Sequence, residues 1–463
     1  MAANTAANVD VIIDTGGREI PECPHGPALL FVKYDRGSSS KFFACSAFRD
    51  RKECNFFQWE SEKPSEEKKK IRQEINSQQK PKFSHEEAYN RFLRFKEQTS
   101  CNRELCQTCG RFLLPGELKD HKGHKVKSPI TDEMLEKPTK LFVPLDNNKT
   151  FAQYLFSASA VDFTIKTLED LSFTHIVCVG APRIFEAIEL KKDSATKGLL
   201  LDLDHRYQQL YPTTKFCRYN MFNHHFFDGQ KSEDVFKQFI LEEEEDGKRV
   251  AMVMDPPFGG MVDALAATYN KISLQWQTLS DQTQDSNLPI LWFFPYFMEK
   301  RIKECLPTTH MLDYKVDYDN HMLFRGDMKK QGSPVRIFTN LSPERVILPA
   351  SDGYWFCKVC SRFSAKENLH CDVCDLCPSK DGRTYKHCFK CDRCVKPSKQ
   401  HCKTCKTCQQ QDHRCGQPMS NGCHVCGALD HKRRNCPKQG SSSTKRGAPE
   451  NSSPNRQKRK RKK

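Results

Sequence analysis

Short apolar runs alternate with amphipathic stretches through the centre of the chain, from about residue 141 to residue 350. Continuous apolar runs are typical of buried strands in a parallel sheet, whereas surface helices carry their apolar residues on one face. An amphipathic helix is expected over 232–245, and another helix is expected to begin near Arg183. Strands are expected at 175–180, 198–202, 215–219, 249–254, 289–295, 311–324 and 335–339. The pattern predicts an α/β fold with a doubly wound, Rossmann-like sheet.

The apolar runs are too short to cross a membrane. The longest one, residues 288–298, is interrupted by Pro289 and Pro295, and a membrane-spanning helix needs about 20 apolar residues. The first residues, MAANTAANVD, lack the basic start and apolar run of a secretory signal. Only 37% of the 463 residues are hydrophobic, so part of the chain must fold without a large apolar core. The sequence disfavours an integral membrane protein and a secreted disulfide-bonded scaffold.

Positive charge is concentrated near the end of the sequence. Lysine and arginine outnumber aspartate and glutamate by 74 to 58, and residues 440–463 contain nine basic residues and one glutamate. This composition, which is also rich in serine and proline, is typical of a disordered segment. The final RKRKK is expected to serve as a nuclear address or as an arm that contacts phosphates, and the alternative is a solvated tail without either role.

The 24 cysteines and 16 histidines recur at spacings that are typical of zinc sites. Thiolates and imidazoles are the ligands that a tetrahedral Zn²⁺ prefers, and CxxC pairs with interleaved histidines indicate zinc modules rather than disulfides. A CCHC zinc knuckle, which usually binds single-stranded nucleic acid, is expected from the spacing of Cys423, Cys426, His431 and Cys436.

A denser array of cysteines and histidines lies between residues 357 and 415. His-Cys pairs recur at 370–371, 387–388 and 401–402, and their alignment gives four interleaved sites with no ligand left over. The expected ligand sets are Cys357, Cys360, His370 and Cys377; Cys371, Cys374, His387 and Cys394; Cys388, Cys391, His401 and Cys408; and Cys402, Cys405, His413 and Cys415.

Residues 391–415 also resemble the cysteine-rich domain of DHHC palmitoyltransferases. The tetrad here is Asp412-His413-Arg414-Cys415, however, with Arg at the position of the second His, and no membrane helix is expected that could present an acyl group. We therefore retain the zinc skeleton of this resemblance and not its acyl-transfer chemistry.

Two further zinc sites are expected nearer the start of the sequence, which brings the expected number of zinc ions to about seven. The first resembles a GRF-type finger, a module that binds single-stranded nucleic acid, although its aromatic residues equally suit a small core. The second is a C2H2 pattern whose last spacing is shorter than in fingers that read the major groove. The expected ligand sets are Cys23, His25, Cys45 and Cys54, and Cys106, Cys109, His121 and His124.

The expected strand 249–254 is followed by Asp255-Pro256-Pro257-Phe258, which matches the [DN]PP[FYW] motif of S-adenosylmethionine-dependent amino methyltransferases. The N6 amine of adenine is a poor nucleophile because its lone pair is delocalised into the ring. Asp255 and the Pro256 carbonyl can accept its two N–H bonds, and the consecutive prolines keep both acceptors aimed. Phe258 can stack on an extruded base. The alternative is a strand-ending turn without a catalytic role, but its position after the fourth strand favours catalysis.

Residues that follow the other strands are expected to hold the cofactor at the carboxyl edge of the sheet. The first strand continues as VGAPR instead of a glycine-rich GxGxG turn, so Arg183 is expected to meet the methionine carboxylate. Asp202, with Asp204 as its substitute, is expected to accept hydrogen bonds from the ribose hydroxyls. Tyr219 and Asn220 are expected to flank the adenine of the cofactor, with Asp255 beside it.

Together, the DPPF motif, the VGAPR turn, the two fingers, the cysteine array and the knuckle resemble the family of CCHC zinc-finger ribosomal RNA adenine N6-methyltransferases. The resemblance covers roughly residues 23–436, and the order of the modules is more specific than any single motif. It implies a class I methyltransferase sheet with flanking zinc modules, which forms N6-methyladenosine in large-subunit (28S) ribosomal RNA. It also implies a nucleolar and cytoplasmic location, and a role in holding S-adenosylmethionine for Gln153, Tyr154, Leu155 and Phe156.

The motifs divide the sequence into expected segments. These are a disordered N-terminus (1–20), a GRF finger (21–62), a helical linker (63–100), a C2H2 finger (101–128), a methyltransferase domain (141–350), a DHHC-like multi-zinc domain (351–416), a CCHC knuckle (421–438) and a disordered basic tail (439–463). The alternatives are methylation of DNA or of a protein amide, and a non-catalytic RNA-binding adaptor. Protein-glutamine enzymes typically have Asn at the position of Asp255, and the intact motif argues against the adaptor.

Overall fold

The computed structural model describes residues 9–35, 38–48, 50–144, 153–241, 249–279, 286–320, 333–413 and 415. The expected zinc knuckle (421–438) and basic tail (439–463) lie outside the described residues. The chain divides into two units, and residues 10–32 and 41–415 belong to the one that contains every site discussed below. Among the helices that the structure describes, none is long and apolar enough to cross a bilayer.

The first module is a small β-structure around the expected GRF finger. Its strands are β1 (Val9–Ile12), β2 (Glu22–Cys23), β3 (Gly26–Pro27), β4 (Leu29–Asp35), β5 (Ser38–Ala44) and β6 (Phe57–Trp59). Strands β2 and β3 form a hairpin, and the others form a sheet in the order β1-β4-β5-β6. The expectation of disorder over 1–20 is wrong for residues 9–12, because the β-branched Val9, Val11 and Ile12 add an edge strand to this sheet.

Helices and a three-stranded sheet connect this module to the centre of the chain. They are α1 (Glu66–Gln78), α2 (His85–Lys96), β7 (Glu104–Cys106), β8 (Arg111–Leu113), β9 (Val126–Lys127), α3 (Asp132–Glu136) and α4 (Pro138–Leu141). A capping box begins α2, in which Ser84 and Glu87 each accept a hydrogen bond from the other's amide. Phe92 and Phe95 of α2 are buried in the core of the central domain, so the expected helical linker is packed as part of the fold.

The central domain is an eight-stranded mixed sheet with helices on both faces. Its elements are α5 (Ala158–Asp170), β10 (His175–Val179), α6 (Pro182–Leu190), β11 (Lys197–Asp202), β12 (Phe216–Asn220), β13 (His225–Phe226), α7 (Gln230–Leu241), β14 (Val250–Met254), α8 (Val262–Leu279), β15 (Ile290–Pro295), α9 (Glu299–Cys305), β16 (His310–Leu312) and β17 (Val335–Thr339). The strand order is β13-β12-β11-β10-β14-β15-β17-β16, with parallel pairing from β12 to β15. The predicted doubly wound α/β fold is therefore confirmed.

One expected strand of this sheet differs from the observed one. The strand expected over 311–324 does not continue through residues 313–320, since β16 ends at Leu312. Instead, the carboxylate of Asp313 accepts hydrogen bonds from the Arg362 side chain, the Ala365 amide and the Asn368 side chain. Residues 321–324, like residues 242–245 of the expected helix 232–245, lie outside the described residues.

Both faces of the sheet are covered, which explains the continuous apolar runs of its strands. Strands β10, β14 and β15 are buried along their whole lengths. Ile176 and Cys178 of β10 face a core that includes α5 and α6, whereas Val177 and Val179 face a second core that includes α7 and α8. Alternate residues of one strand thus bind helices on opposite faces of the sheet.

Three two-stranded hairpins follow the sheet. They are β18 (Trp355–Cys357) with β19 (Arg362–Ser364), β20 (Lys386–Cys388) with β21 (Arg393–Val395), and β22 (Lys399–Cys402) with β23 (Thr407–Gln410). A CxxC pair forms each turn, and the residue after it has a positive φ, which is 47° at Ser361, 47° at Asp392 and 50° at Lys406. Isolated two-stranded hairpins are marginally stable in water, so we expect metal binding to stabilise this region.

We expect a chelator to unfold these hairpins before it unfolds the central sheet. A structural zinc supplies on the order of 10–16 kcal/mol of folding free energy, whereas the two cores of the sheet contain none of the predicted ligands. Hydrogen exchange followed by mass spectrometry during a chelator titration should show early loss of protection over residues 386–410 and late loss in β10 and β14. Simultaneous loss would show that the two regions unfold as one unit.

Candidate active site

A cavity of about 710 Å³ opens at the carboxyl ends of β10, β11, β12 and β14. Doubly wound sheets bind their ligands at this edge, next to the point where the strand order reverses. The sheet domain and both N-terminal finger regions contribute to its walls. The predicted catalytic and cofactor-binding residues that line it are Gln153, Tyr154, Leu155, Asp202, Asp204, Tyr219, Asn220, Asp255, Pro256, Pro257 and Phe258.

The motif 255–258 follows β14 directly. The Asp255 amide donates a hydrogen bond to the Val179 carbonyl at 3.0 Å, which extends the pairing of β14 with β10. Gly180 lies opposite with a φ of +63°, and a Cβ there would lie 3.1 Å from the Asp255 carbonyl oxygen and 2.5 Å from Met221 Cε. The first turn therefore requires this one glycine, although it lacks the GxGxG pattern.

Tyr318 holds the carboxyl group of Asp255. Its hydroxyl donates a hydrogen bond to Asp255 Oδ1 at 3.2 Å. Burial raises the pKa of Asp255 well above its ordinary value, the Tyr318 hydrogen bond opposes this rise, and the charge of Asp202 adds to it. Asp255 nevertheless keeps part of its surface open to the cavity. The site thus presents a carboxylate that is a stronger base than a solvated aspartate.

Three aromatic rings pack against one another next to the motif 255–258. Tyr154 stacks on Phe258 with ring centroids 5.5 Å apart and planes 25° from parallel. Tyr318 meets these two rings edge-on at 6.0 and 5.8 Å. Sequence reasoning missed Tyr318, which lies 63 residues after Asp255 and was expected only as part of a strand. Tyr154 and Phe258 are half-buried and offer ring surface to a ligand in the cavity.

The segment 153–156 supplies three cavity residues and one core residue. Gln153, Tyr154 and Leu155 line the cavity, and the Leu155 amide donates to Asn320 Oδ1 at 2.7 Å. Phe156 is instead fully buried, and its ring stacks on that of Tyr318 at 5.1 Å. The Phe156 ring therefore does not line the cavity and instead supports Tyr318 from the core side.

The two acids after β11 have different environments. Asp202 Oδ1 accepts a hydrogen bond from the Asp204 amide at 2.8 Å. Burial and the charge of Asp204 raise the pKa of Asp202 to about 7. Asp204 forms an ion pair with Arg206 at 2.6 Å and accepts from Gln153 Nε2 at 3.0 Å. Burial opposes ionisation of Asp204, but these partners hold its pKa below the ordinary value. Asp202 is therefore the acid suited to a cavity ligand, and Asp204 is committed to Arg206.

Three other predicted cofactor residues are engaged within the protein. Arg183 forms an ion pair with Asp319 at 2.9 Å. Of the neighbouring residues Pro182 and Arg183, Pro182 lines the cavity in the described part of the chain and Arg183 does not. Tyr219 is buried, and its hydroxyl lies 2.7 Å from His224 Nδ1. Asn220 lines the cavity, but its Nδ2 donates to the His25 carbonyl and to Ser46 Oγ, both at 2.8 Å. The structure thus does not bring Arg183 into the cavity, and the Asn220 amide binds the GRF-type region.

Both finger regions contact the sheet domain through a glycine with positive φ. A Cβ on Gly26 would lie 2.4 Å from the His225 ring, and one on Gly110 would lie 2.4 Å from Arg206 Cδ. Gln209 Nε2 donates to the Gly110 carbonyl at 2.7 Å. Sequence reasoning missed Arg206 and Gln209, whose partners Gln153 and Gly110 lie 53 and 99 positions away in the sequence. The fingers are therefore walls of the cavity.

Several groups of cysteine and histidine come together in the described residues. Five are predicted sets, those that begin at Cys23, Cys106, Cys357, Cys371 and Cys388, with ligand atoms within 4.8 Å of one another. In the predicted set that begins at Cys402, Cys415 Sγ lies 3.2 Å from Cys402 Sγ and 3.0 Å from His413 Nε2. These donor sets suit tetrahedral zinc. The predicted knuckle set, Cys423, Cys426, His431 and Cys436, lies outside the described residues.

Aspartates connect successive groups of the C-terminal array. His370 Nδ1 faces Cys360 Sγ at 3.3 Å, while its Nε2 lies 3.5 Å from Asp375 Oδ1. At His387 the corresponding separation, from Nε2 to Asp392 Oδ1, is 3.7 Å, and this nitrogen accepts or donates no hydrogen bond within the described residues. Each aspartate follows the CxxC pair of the next group. A carboxylate on the far nitrogen orients a metal-binding imidazole, so Asp375 of the second group is placed to orient His370 of the first.

Comparisons with known proteins agree with this geometry. Residues 147–340 match the family described as probable N6-adenine methyltransferase, and residues 21–63 match the GRF zinc finger. The chain is 49% identical to rRNA N(6)-adenosine-methyltransferase ZCCHC4 of Homo sapiens, over 90% of this chain and 82% of the relative. It is 47% identical to the protein of that name in Xenopus tropicalis (90% and 87% covered) and 48% identical to the one in Mus musculus (95% and 87%). With identity at this level over most of both sequences, the chain belongs to the ZCCHC4 family of rRNA N6-adenosine methyltransferases.

Proposed function

We propose that this chain transfers a methyl group from S-adenosylmethionine to N6 of an adenosine in ribosomal RNA. The observation that carries the proposal is the position of the motif 255–258 in a cavity of about 710 Å³ at the carboxyl edge of the sheet. Asp202 lies on the same edge, two strands from Asp255. The substrate class rests on the relatives, whose names describe them as rRNA N6-adenosine methyltransferases.

The cavity residues fit S-adenosylmethionine, which supplies an electrophilic methyl group when bound. The pKa of Asp202 is raised to about 7, so hydrogen-bond donors such as ribose hydroxyls would stabilise its carboxylate form. Met221, which follows β12, supplies apolar surface for an adenine ring. Gln153, Tyr154 and Leu155, which the resemblance assigns to the cofactor, line the same cavity.

Asp255 and Pro256 would activate the substrate amine. The carboxylate of Asp255 and the carbonyl of Pro256 each accept one N–H bond of the adenine amine, which favours the pyramidal, nucleophilic form. The amine must lose a proton when it is methylated, and burial has made the Asp255 carboxylate basic enough to receive it at Oδ. Tyr318 keeps this carboxylate aimed through its hydroxyl.

The aromatic residues and the zinc modules would position the RNA. Phe258, which Tyr154 supports from one side, offers ring surface on which the target base can stack. Zinc in the gathered cysteine and histidine sets would hold the fingers as walls of the cavity. As part of the proposal, the substrate is an adenosine of large-subunit (28S) ribosomal RNA and the protein acts in the nucleolus and cytoplasm, which the module order and the basic tail support.

Replacement of Asp255 should abolish methyl transfer without loss of RNA binding. We expect Asp255→Ala to lower kcat on the order of a hundredfold or more, the effect of removing one aligned hydrogen-bonding group from a polar active site. Asp170→Ala, which removes an acid paired with Lys166 on the surface of α5, is the matched control and should retain activity. Transfer of labelled methyl groups to ribosomal RNA, with the product nucleoside identified by mass spectrometry, measures the effect. Full turnover by Asp255→Ala would contradict the catalytic assignment.

The pH profile should depend on the hydrogen bond from Tyr318. Asp255 must be ionised in the active form. As the pH increases through the raised pKa of this group, kcat/KM should therefore rise. Tyr318→Phe removes a donor that favours the ionised form, so the rise should move to higher pH. Tyr314→Phe, whose hydroxyl bonds to the Ser159 carbonyl instead, should leave the profile unchanged. An equal profile for Tyr318→Phe and the unmodified protein would contradict the role of this bond.

A further inference from the structure

The C-terminal zinc array differs in charge along its length. Residues 386–410, which form the hairpins β20–β21 and β22–β23, contain seven lysines and arginines and one aspartate. Residues 357–385 contain five basic and four acidic residues. We call residues 386–410 the distal hairpins and residues 357–385 the proximal segment.

Bound zinc preserves this difference. A site with three thiolates and one neutral imidazole has a formal charge of −1. The distal hairpins contain one whole predicted set and parts of two others, which removes about two or three positive charges. They remain positive, whereas the proximal segment becomes about neutral.

The proximal segment is bound to the central domain. The Asp313 carboxylate accepts from Arg362 Nη2 and the Ala365 amide, both at 3.0 Å, and from Asn368 Nδ2 at 2.6 Å. Lys380 forms an ion pair with Glu299 of α9. These contacts give the proximal segment an anchoring role in the fold.

The basic side chains of the distal hairpins are mostly not neutralised by carboxylates. Lys396 pairs with Asp381 at 2.6 Å. Five other lysines form no ion pair within the part of the chain that the structure describes, and all but one are exposed: Lys386, Lys390, Lys399 (half-buried), Lys403 and Lys406. Cations without carboxylate partners are the feature expected of a surface that contacts phosphates.

An exposed aromatic ring lies among these lysines. Phe389 occupies the CxxC turn between β20 and β21, is 80% exposed and meets the His387 ring edge-on at 4.8 Å. Single-stranded RNA offers both complementary groups, since its phosphates attract the lysines and its bases stack on aromatic rings. An acidic protein would satisfy the lysines but not the ring.

We propose that the distal hairpins bind single-stranded RNA, with a base stacked on Phe389 and neighbouring phosphates on the lysines. None of the described residues between 386 and 410 lines the catalytic cavity, so this surface binds a part of the RNA other than the reacting adenosine. The proposal rests on the proposed function for the nature of the substrate, but it does not require methyl transfer.

Binding of a fluorescein-labelled single-stranded oligoribonucleotide to the zinc-loaded full chain tests the ring. Phe389→Ala should weaken binding by about fivefold to a hundredfold, the effect of losing one base stack. Phe389→Tyr keeps a ring and should retain affinity, whereas Phe389→Leu keeps only apolar area and should not. Val373→Ala, which removes an exposed apolar side chain from a CxxC turn of the proximal segment, is the matched control and should bind normally.

The salt dependence of the same measurement tests the lysines. Replacement of Lys386 and Lys390 by Gln should reduce the slope of log Kd against log salt by roughly 1.4, because each phosphate contact to a single strand contributes about 0.7. Replacement of the exposed Lys358 and Lys366 in the proximal segment by Gln is the control and should leave the slope unchanged.

Two results would overturn this proposal. One is equal RNA affinity for Phe389→Ala and Val373→Ala, with zinc content verified for each. The other concerns polyglutamate as a competitor of the labelled RNA. If polyglutamate displaces the RNA equally well from the unmodified chain and from Phe389→Ala, the ring contributes nothing and the surface is assigned to acidic proteins. If RNA binding responds as expected but no methyl group is transferred, the proposed function fails and the distal surface stands.

Discussion

The close approach of two backbone segments, at Gly180 and Asp255, is the constraint on which the rest of the site depends. Parallel pairing of β10 with β14 aligns Val179 with Met254, and the Asp255 amide continues that ladder. Because Gly180 has no Cβ, the turn after β10 can pass within contact of the Asp255 carbonyl. The motif therefore begins from a rigid sheet edge rather than from a free loop, which is what aimed hydrogen-bond acceptors require.

The two N-terminal finger regions are connected to the same site by buried polar side chains. Arg206 is buried against Asp204, donates to the Val143 carbonyl and contacts Gly110 of the C2H2-type region. A buried ion pair contributes little net stability by itself, because desolvation offsets its Coulomb attraction. Its effect here is geometric, since one arginine side chain contacts a finger turn through its methylene groups and both Val143 and Asp204 through its guanidinium. Asn220 makes the corresponding connection to the GRF-type region.

The C-terminal array replaces an apolar core with ligand sets. Each hairpin has a CxxC turn followed by a residue with positive φ, and each is too small to be stable alone. Interleaving means that a histidine from one hairpin completes the set begun by the preceding CxxC pair, as His387 does for Cys371 and Cys374. Folding of one hairpin thus positions ligands for the neighbouring set. Because zinc replaces an apolar core, the distal hairpins can keep their side chains on the surface for a ligand.

Local patterns were enough to predict three features of this protein. The ligand sets could be predicted because zinc ligands within one module lie close in sequence, as Cys357 and Cys360 do, and only a few pairings satisfy every residue. The α/β fold could be predicted because buried parallel strands have continuous apolar sequences, and it was confirmed. The motif 255–258 was recognisable because it directly follows such a strand.

Only the tertiary structure decided which polar and aromatic residues serve the cavity. Tyr318 reaches Asp255 across 63 positions, Asn220 binds a finger 195 positions earlier, and Arg183 turns to Asp319. Tyr154 and Phe156 are close in sequence, yet one lines the cavity and the other is in the core. No local pattern contains this information, because it arises when distant segments exclude water from a shared space and each polar group must find a partner there.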